Sequence, residues 1–294
     1  MNGGIAVRGI DKSFGKTLAL DSVTFDCPPG AVTGYLGPNG SGKSTTLRIA
    51  LGLSRPDRGE VLFGGFRLTM AGVNREVGAV LGPSFLAGPL RVRDELKRRS
   101  GYLGCGQSHA FALAEWAGLG SHLDKRISVL SLGEKQRLGV ALAMLSTPTH
   151  LVLDEPFNGL DPEGIVWLRE TLSAHAARGG TVLVSSHLIA ELQSLVQHVV
   201  ILRSGRVVLQ GDPVEMMGPA ATSVIFADAS EAEAALSRAG LAWSMQGRHH
   251  VVEAPAVTVG ELVAASQLVV LEMRPVQARG LERLYMQQVS GAAT

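Results

Sequence analysis

Phosphate chemistry needs backbone amides that can crowd an anion, a fixed cation, and oxygen ligands for a metal ion. The stretch Gly37-Pro38-Asn39-Gly40-Ser41-Gly42-Lys43-Ser44-Thr45 fits the pattern G-x-x-x-x-G-K-[ST]. Its glycines let the backbone pass close to a phosphate chain, and the helix behind it adds partial positive charge. Lys43 is placed to reach the β- and γ-phosphates, and the Ser44 hydroxyl to ligate Mg²⁺. As pure structure the same residues make a glycine-rich turn capped by a serine. The setting favours the phosphate reading. Ala31 to Leu36 reads as a short buried strand and Ser44 to Leu51 as a helix stopped by Gly52, the strand–loop–helix context the pattern requires.

A second group lies at strand ends. His150-Leu151-Val152-Leu153-Asp154-Glu155 is an apolar run closed by two carboxylates and reads as a central parallel strand. Open α/β sheets place their chemistry at the carboxyl ends of strands. Neighbouring strand residues point to opposite faces, so Asp154 and Glu155 cannot share one job. One can face a metal and the other an attacking water. The alternative, two ordinary turn acids, is weakened by the preceding apolar run, because unpartnered buried carboxylates are costly. His187 closes a further buried strand, Thr181 to His187, in the same way. Ser131 and Glu134 have capping-box spacing at the start of a helix running to about Leu145. Gly133 in its first turn costs helix propensity, which makes sense if something large approaches an anion-accepting N-terminus. Read as structure alone, it is a well-capped helix.

At the scale of the whole chain, 294 residues allow one large domain or two smaller ones. Hydrophobic residues make up 46% and charged residues 18%, enough for a sizeable core and against global disorder. The net charge of +1 argues against an extended nucleic-acid footprint. No stretch is apolar for the roughly 18 residues that a membrane-spanning helix needs, and the N-terminus lacks a signal-peptide layout. Cys27 and Cys105 lack metal-ligand spacing and read as thiols of a reducing compartment, so a cytosolic chain is expected.

Along the chain, residues 5–8 and 18–25 read as antiparallel strands joined around Phe14-Gly15-Lys16, with further strands at 59–63 and around 77–82. From about 92 to 146 the pattern is helical, an insertion in an α/β body. The basic run Arg91 to Arg99 reads as a solvated helix face rather than a docking surface. Helix 163–176, strand 181–187 and a hairpin over 199–202 and 207–210 complete the body. After Gly218-Pro219, strands at 223–228, 241–246, 248–253 and 268–273 alternate with helices at 230–239 and 258–266. A last helix is expected at 280–289. β-α-β-β-α-β is the ferredoxin-like order, hence a separate domain at 218–294. His249-His250 reads as a solvated turn pair, without a third ligand spaced for a metal.

Taken together, Gly37 to Ser44, Leu130-Ser131-Leu132-Gly133-Glu134-Lys135-Gln136-Arg137, Leu151 to Pro156, Gly159-Leu160-Asp161 and His187 resemble the nucleotide-binding subunit of an ATP-binding cassette (ABC) transporter. They look like its Walker A, signature, Walker B, D-loop and switch histidine, in the family's order. The resemblance covers about residues 3–215. It implies a P-loop NTPase cassette of α/β class over 1–217, with an antiparallel β subdomain and a helical subdomain at about 84–147, plus a small C-terminal α+β domain. The signature "SLGEKQRLG" and the C-terminal extension look most like the subgroup that drives export of drugs, antibiotics or peptides through a separate permease.

The resemblance also implies roles, matched by position. Phe14, which on its own could cover a sheet edge, matches the aromatic that stacks on adenine. Lys43 and the loop amides hold ATP phosphates, with Ser44 and Asp154 organising Mg²⁺. Glu155 matches the carboxylate that polarises the attacking water, and His187 the contact to the γ-phosphate. Ser131 and Gly133 match positions that cap the γ-phosphate of a partner subunit's ATP. The implied assembly is a head-to-tail homodimer on the inner face of the cell membrane, bound to a multi-spanning permease, with no nucleic acid. Gly82 stands where most members carry a glutamine that touches Mg²⁺ and the membrane partner. Two other readings stay open: a soluble cassette ATPase acting on nucleic acid or ribosomes, and a nucleotide switch with little turnover.

Overall fold

In a computed structural model of the chain, residues 3–86, 88–187, 189–217, 221–276 and 285 are described. The chain divides into two compact units, the first running to Asp212 and the second beginning at Pro213.

The first unit opens with β1 (Ile5–Phe14) and β2 (Thr17–Cys27), both longer than expected, because pairing continues through irregular register to Phe14 opposite Thr17. Next come β3 (Val32–Leu36), α1 (Lys43–Ala50) and β4 (Arg58–Phe63). Then comes α2 (Met70–Glu76), capped by the Thr69 hydroxyl accepting from Gly72 N, and the strand expected around 77–82 is β5, Val77–Val80. The helical insertion holds α3 (Val92–Leu103), α4 (Gln107–Trp116) and α5 (Leu132–Ala143). The unit continues with β6 (His150–Asp154), α6 (Pro162–Ala177), β7 (Thr181–Ser186), α7 (Ile189–Leu192), β8 (His198–Arg203) and β9 (Arg206–Gly211). β2, β1 and β4 form an antiparallel sheet with β1 in the middle. The main sheet has the order β5-β6-β7-β3-β8-β9 and is parallel except at β8–β9.

The near-continuous apolar runs explain that layout, since a strand covered on both faces needs no polar alternation. β3 and β7 are buried throughout, and β6 up to its last residue. One core joins the two sheets through α1, with Val7, Ile10, Leu20, Leu47, Val152 and Leu183 packed together. Within it the Phe25 and Tyr35 rings stack at 5.0 Å, and the Tyr35 hydroxyl donates to Thr46 Oγ1 at 3.0 Å. A second core holds the insertion together around Leu96, Ala114, Leu138 and Leu142. There the basic side chains of the run are solvated, as expected, while the acid among them is buried. Arg98 and Arg99 both bond Glu95, which is 5% exposed, and Arg93 pairs with Asp124. Burial alone would raise the Glu95 carboxyl, yet the two guanidinium hydrogen bonds outweigh it and hold it below its ordinary range.

The second unit begins with α8 (Pro213–Met217), then β10 (Ala221–Phe226), α9 (Ala229–Arg238), β11 (Trp243–Gln246), β12 (His249–Val252), α10 (Ala256–Ala265) and β13 (Val270–Val276). Its antiparallel sheet has the order β11-β12-β10-β13 over a core of Val224, Phe226, Leu236, Val252 and Val259. The helix expected at 280–289 lies outside the described residues apart from Tyr285. The histidine pair is a correction. The turn falls at Gly247-Arg248, so both histidines enter β12. His250 is buried between the Phe226 and Trp243 rings with Nε2 3.3 Å from Glu233, while His249 Nδ1 lies 3.0 Å from the Ser223 hydroxyl.

Among the described residues no helix is long and apolar enough to cross a membrane.

Candidate functional site

The loop between β3 and α1 is shaped by what cannot fit there. A Cβ on Gly37 would stand 2.4 Å from the Leu202 carbonyl oxygen, and Gly42, at φ 109°, would drive one into Leu20. Only glycine lets this backbone lie so close to its neighbours. Gly42 is the N-cap of α1 and offers no side-chain cap, and the first turn carries no acid. The N–H groups there remain available to an anion, reinforced by the helix dipole. Ser41 adds a buried hydroxyl with no hydrogen-bond partner among the described residues. Pro38, Asn39 and Gly40 form the outer rim, and Ser44 and Thr45 open the helix half-buried. The Lys43 ammonium folds into the loop and donates to Gly37 O at 2.6 Å and to Pro38 O at 3.3 Å. Burial lowers its pKa, and the carboxylates of Glu155 and Asp154 act in the opposite direction. A cation therefore already sits where phosphate oxygens would need one.

Parallel register sets the carboxylates. Asp154, the last residue of β6, lies opposite Ser185 of β7, and the Ser185 hydroxyl donates to Asp154 Oδ1 at 2.5 Å. Neither Asp154 Oδ2 nor the Ser44 hydroxyl makes a hydrogen bond to a described residue, which leaves hard oxygen ligands free for a cation such as Mg²⁺. Among the described residues no cluster of three or more His, Cys, Asp or Glu could hold a metal alone, so phosphate oxygens or water must complete the shell. Glu155 leaves the strand with φ 50°. Its amide is held by Ser185 O and Oγ, and its carboxylate Oε2 lies 2.7 Å from His187 Nδ1. The two carboxylates thus have different partners, as expected, but Glu155 is turned by its left-handed backbone beyond the strand rather than by strand alternation.

Ser131 caps α5 as its spacing predicts. Its hydroxyl accepts from Glu134 N, and the Glu134 carboxylate accepts from Ser131 N at 2.7 Å. These bonds hold the Glu134 carboxyl below its ordinary range. The structure adds a second reason for Gly133. A Cβ there would stand 2.8 Å from Gly159 O of the same chain, so the loop after β6 already demands glycine. Phe14 is 55% exposed at the β1–β2 turn, with the Lys12 ammonium 5.4 Å from its ring.

The fold brings Lys43, Asp154, Glu155 and His187 into one electrostatic and hydrogen-bonded group, while Ser131, Gly133 and Phe14 are held by their own neighbours. Two contributors escaped sequence reasoning. Ser185 carried the signal that marked His187, a polar residue closing an apolar strand. Gln136, buried on α5, donates from Nε2 to Glu155 O at 3.3 Å, and nothing in its local sequence announces this.

Residues 20–158 match the ABC transporter family. The lantibiotic transport ATP-binding protein SrtF of Streptococcus pyogenes is 35% identical over 207 residues, 70% of this chain and 90% of the relative. The bacitracin transport ATP-binding protein BcrA of Bacillus licheniformis is 36% identical, with 69% and 67% covered. Nod factor export ATP-binding protein I of Paraburkholderia xenovorans is 37% identical, with 69% of each chain covered. Among solved structures, an ATP-binding subunit of an ABC transporter superposes with a TM-score of 0.67 at 28% identity, over 72% of this chain and 91% of that one. A dimeric bacterial ABC transporter cassette has the same fold, with a TM-score of 0.65 at 23% identity over 71% and 98%. This chain is therefore a member of the ABC transporter family, one of its ATP-binding, ATP-hydrolysing subunits.

Proposed function

We propose that this chain is the motor of an exporter: it hydrolyses ATP at the carboxyl ends of β3, β6 and β7 and drives a drug, antibiotic or peptide through a separate multi-spanning permease. The observation that carries the catalytic part is the grouping of Lys43, Asp154, Glu155 and His187 beside an uncapped helix N-terminus. The names of the relatives, which are transport and export ATP-binding proteins, support the transport part. In this reading the chain lies peripherally on the cytoplasmic face of the membrane.

Phe14 stacks on adenine, and the amides of Gly37 to Thr45 wrap the phosphates with Lys43 between them. Ser44 and Asp154 would hold Mg²⁺, which would supply charge neutralisation at the phosphate oxygens. The Glu155 carboxylate accepts a hydrogen bond from the attacking water, and His187, steadied by Glu155, donates to the γ-phosphate. Water oxygen bonds phosphorus as the β–γ bridging bond breaks, and the water proton leaves toward Glu155. Ser131 and Gly133 cap the γ-phosphate of a second copy packed head to tail.

The purified chain should hydrolyse ATP only with Mg²⁺. Glu155→Gln should keep nucleotide binding and lose at least about 100-fold in turnover. Equal phosphate release from wild type and Glu155→Gln would overturn the assignment.

A further inference from the structure

Resting on that reading, we propose that Leu132 and Gln136 of α5 are positioning residues that lock this chain's own Glu155 to the helix end serving the partner's nucleotide. Leu132, Gly133, Gln136 and Arg137, along the first turns of α5, all meet one short stretch, residues 155–167. Gln136 donates to Glu155 O at 3.3 Å from a buried position. Leu132 sits over Gly159 so closely that a Cβ on that glycine would fall 2.3 Å from Leu132 Cγ and Cδ2. In return the Gly159 carbonyl fills the space a side chain at 133 would need. Arg137 lies 3.9 Å from Asp161 and 5.0 Å over the Trp167 ring.

This is an interlock rather than a single contact. Leu132 is 45% exposed in the first helical turn, and Gly159, at φ 80°, supplies the surface it packs on. Close-packed surfaces shift as units instead of deforming smoothly. The span is short: Ser131 and Gln136 are separated by about 7.5 Å along the helix axis. Whatever the partner's γ-phosphate does to the capped end at Ser131 reaches the backbone of Glu155 across one stiff segment. The helix end and the carboxylate act on different nucleotides, so the interlock ties the two sites of the dimer together.

Turnover against ATP concentration, thermal unfolding and nucleotide affinity are measured for wild type, Leu132→Ala, Gln136→Met and Leu132→Met. Wild type should show a Hill coefficient above one. Leu132→Ala, half at the surface, should fold and bind ATP as wild type does, yet lose about tenfold in kcat with a Hill coefficient of one. Gln136→Met should do the same, while Leu132→Met, whose flexible side chain can refill the contact, should restore both. A merely structural role would lower the unfolding temperature and leave the Hill coefficient alone. A wild-type coefficient of one, or variants that keep the wild-type coefficient, overturns the coupling. Wild type without Mg²⁺-dependent hydrolysis overturns the functional reading and the coupling with it.

Discussion

Ser185→Ala removes one oxygen from the interior and should cost both stability and metal affinity. The Ser185 hydroxyl is buried, donates to Asp154 Oδ1 at 2.5 Å and accepts from Glu155 N at 3.0 Å. A hydrogen bond to a charged group contributes about 1.5–3 kcal/mol. The Glu155 amide keeps Ser185 O at 3.2 Å, so the second loss is partly covered. The net cost is about 2 kcal/mol, which in a unit of this size lowers the midpoint of thermal unfolding by roughly 4–8 °C. Loss of such an outer partner also loosens a metal-binding carboxylate, typically by about 10–100-fold in affinity or activity. The assay is ATP turnover titrated with Mg²⁺, alongside nucleotide binding and thermal unfolding. The half-saturating Mg²⁺ concentration should rise by that factor, with nucleotide binding in the absence of metal unchanged. An unchanged Mg²⁺ requirement would refute the claim that Ser185 orients Asp154 toward the ion.

Gly82→Gln, which restores the side chain most family members carry, should be mildly destabilising. Position 82 has φ 84° and open space around a Cβ, so no clash arises but the left-handed backbone costs about 1 kcal/mol. Urea unfolding checks this, and a stabilised variant would contradict it. The cassette should also lose stability as the pH falls through the ordinary histidine range near 6.5. His150 and His175 are buried, and burial is the main force lowering both pKa values, with Glu76 opposing it at His150 and the Thr149 carbonyl at His175. The unfolded chain therefore binds more protons than the folded one in that range, and stability must drop toward acid. Unfolding temperatures between pH 8 and 5.5 test the sign, and His150→Leu should flatten the fall.

The phosphate loop and the two strand-end acids were legible in the sequence because their chemistry demands a local pattern. A glycine run before Lys43 and an apolar run before Asp154 each encode backbone and burial together. Ser185 and Gln136 were not, since their partners are 31 and 19 positions away and only strand register and helix packing bring them together. Gly133 was noticed for a cost in propensity, but the steric demand that Gly159 places on it lies in no local window. The basic run of α3 was legible as a solvated face, but charge counting cannot see that Glu95 is buried beneath the exposed Arg98 and Arg99. His249-His250 misled for a different reason. A hairpin turn two residues earlier moved both rings into a strand, one of them into an aromatic core. Residues 155–167 show the same limit: their D-loop pattern was visible, but the surface they offer to α5 was not.

The central claim is that nucleotide is clamped between the glycine loop of one copy and the Ser131 helix end of another. Sedimentation of Glu155→Gln, with and without ATP and Mg²⁺, tests it most directly. The variant should be a single chain without nucleotide, a stable pair of chains with ATP, and single chains again when Ser131 is replaced by arginine in the same background. A species that remains a single chain at saturating, demonstrably bound ATP contradicts it.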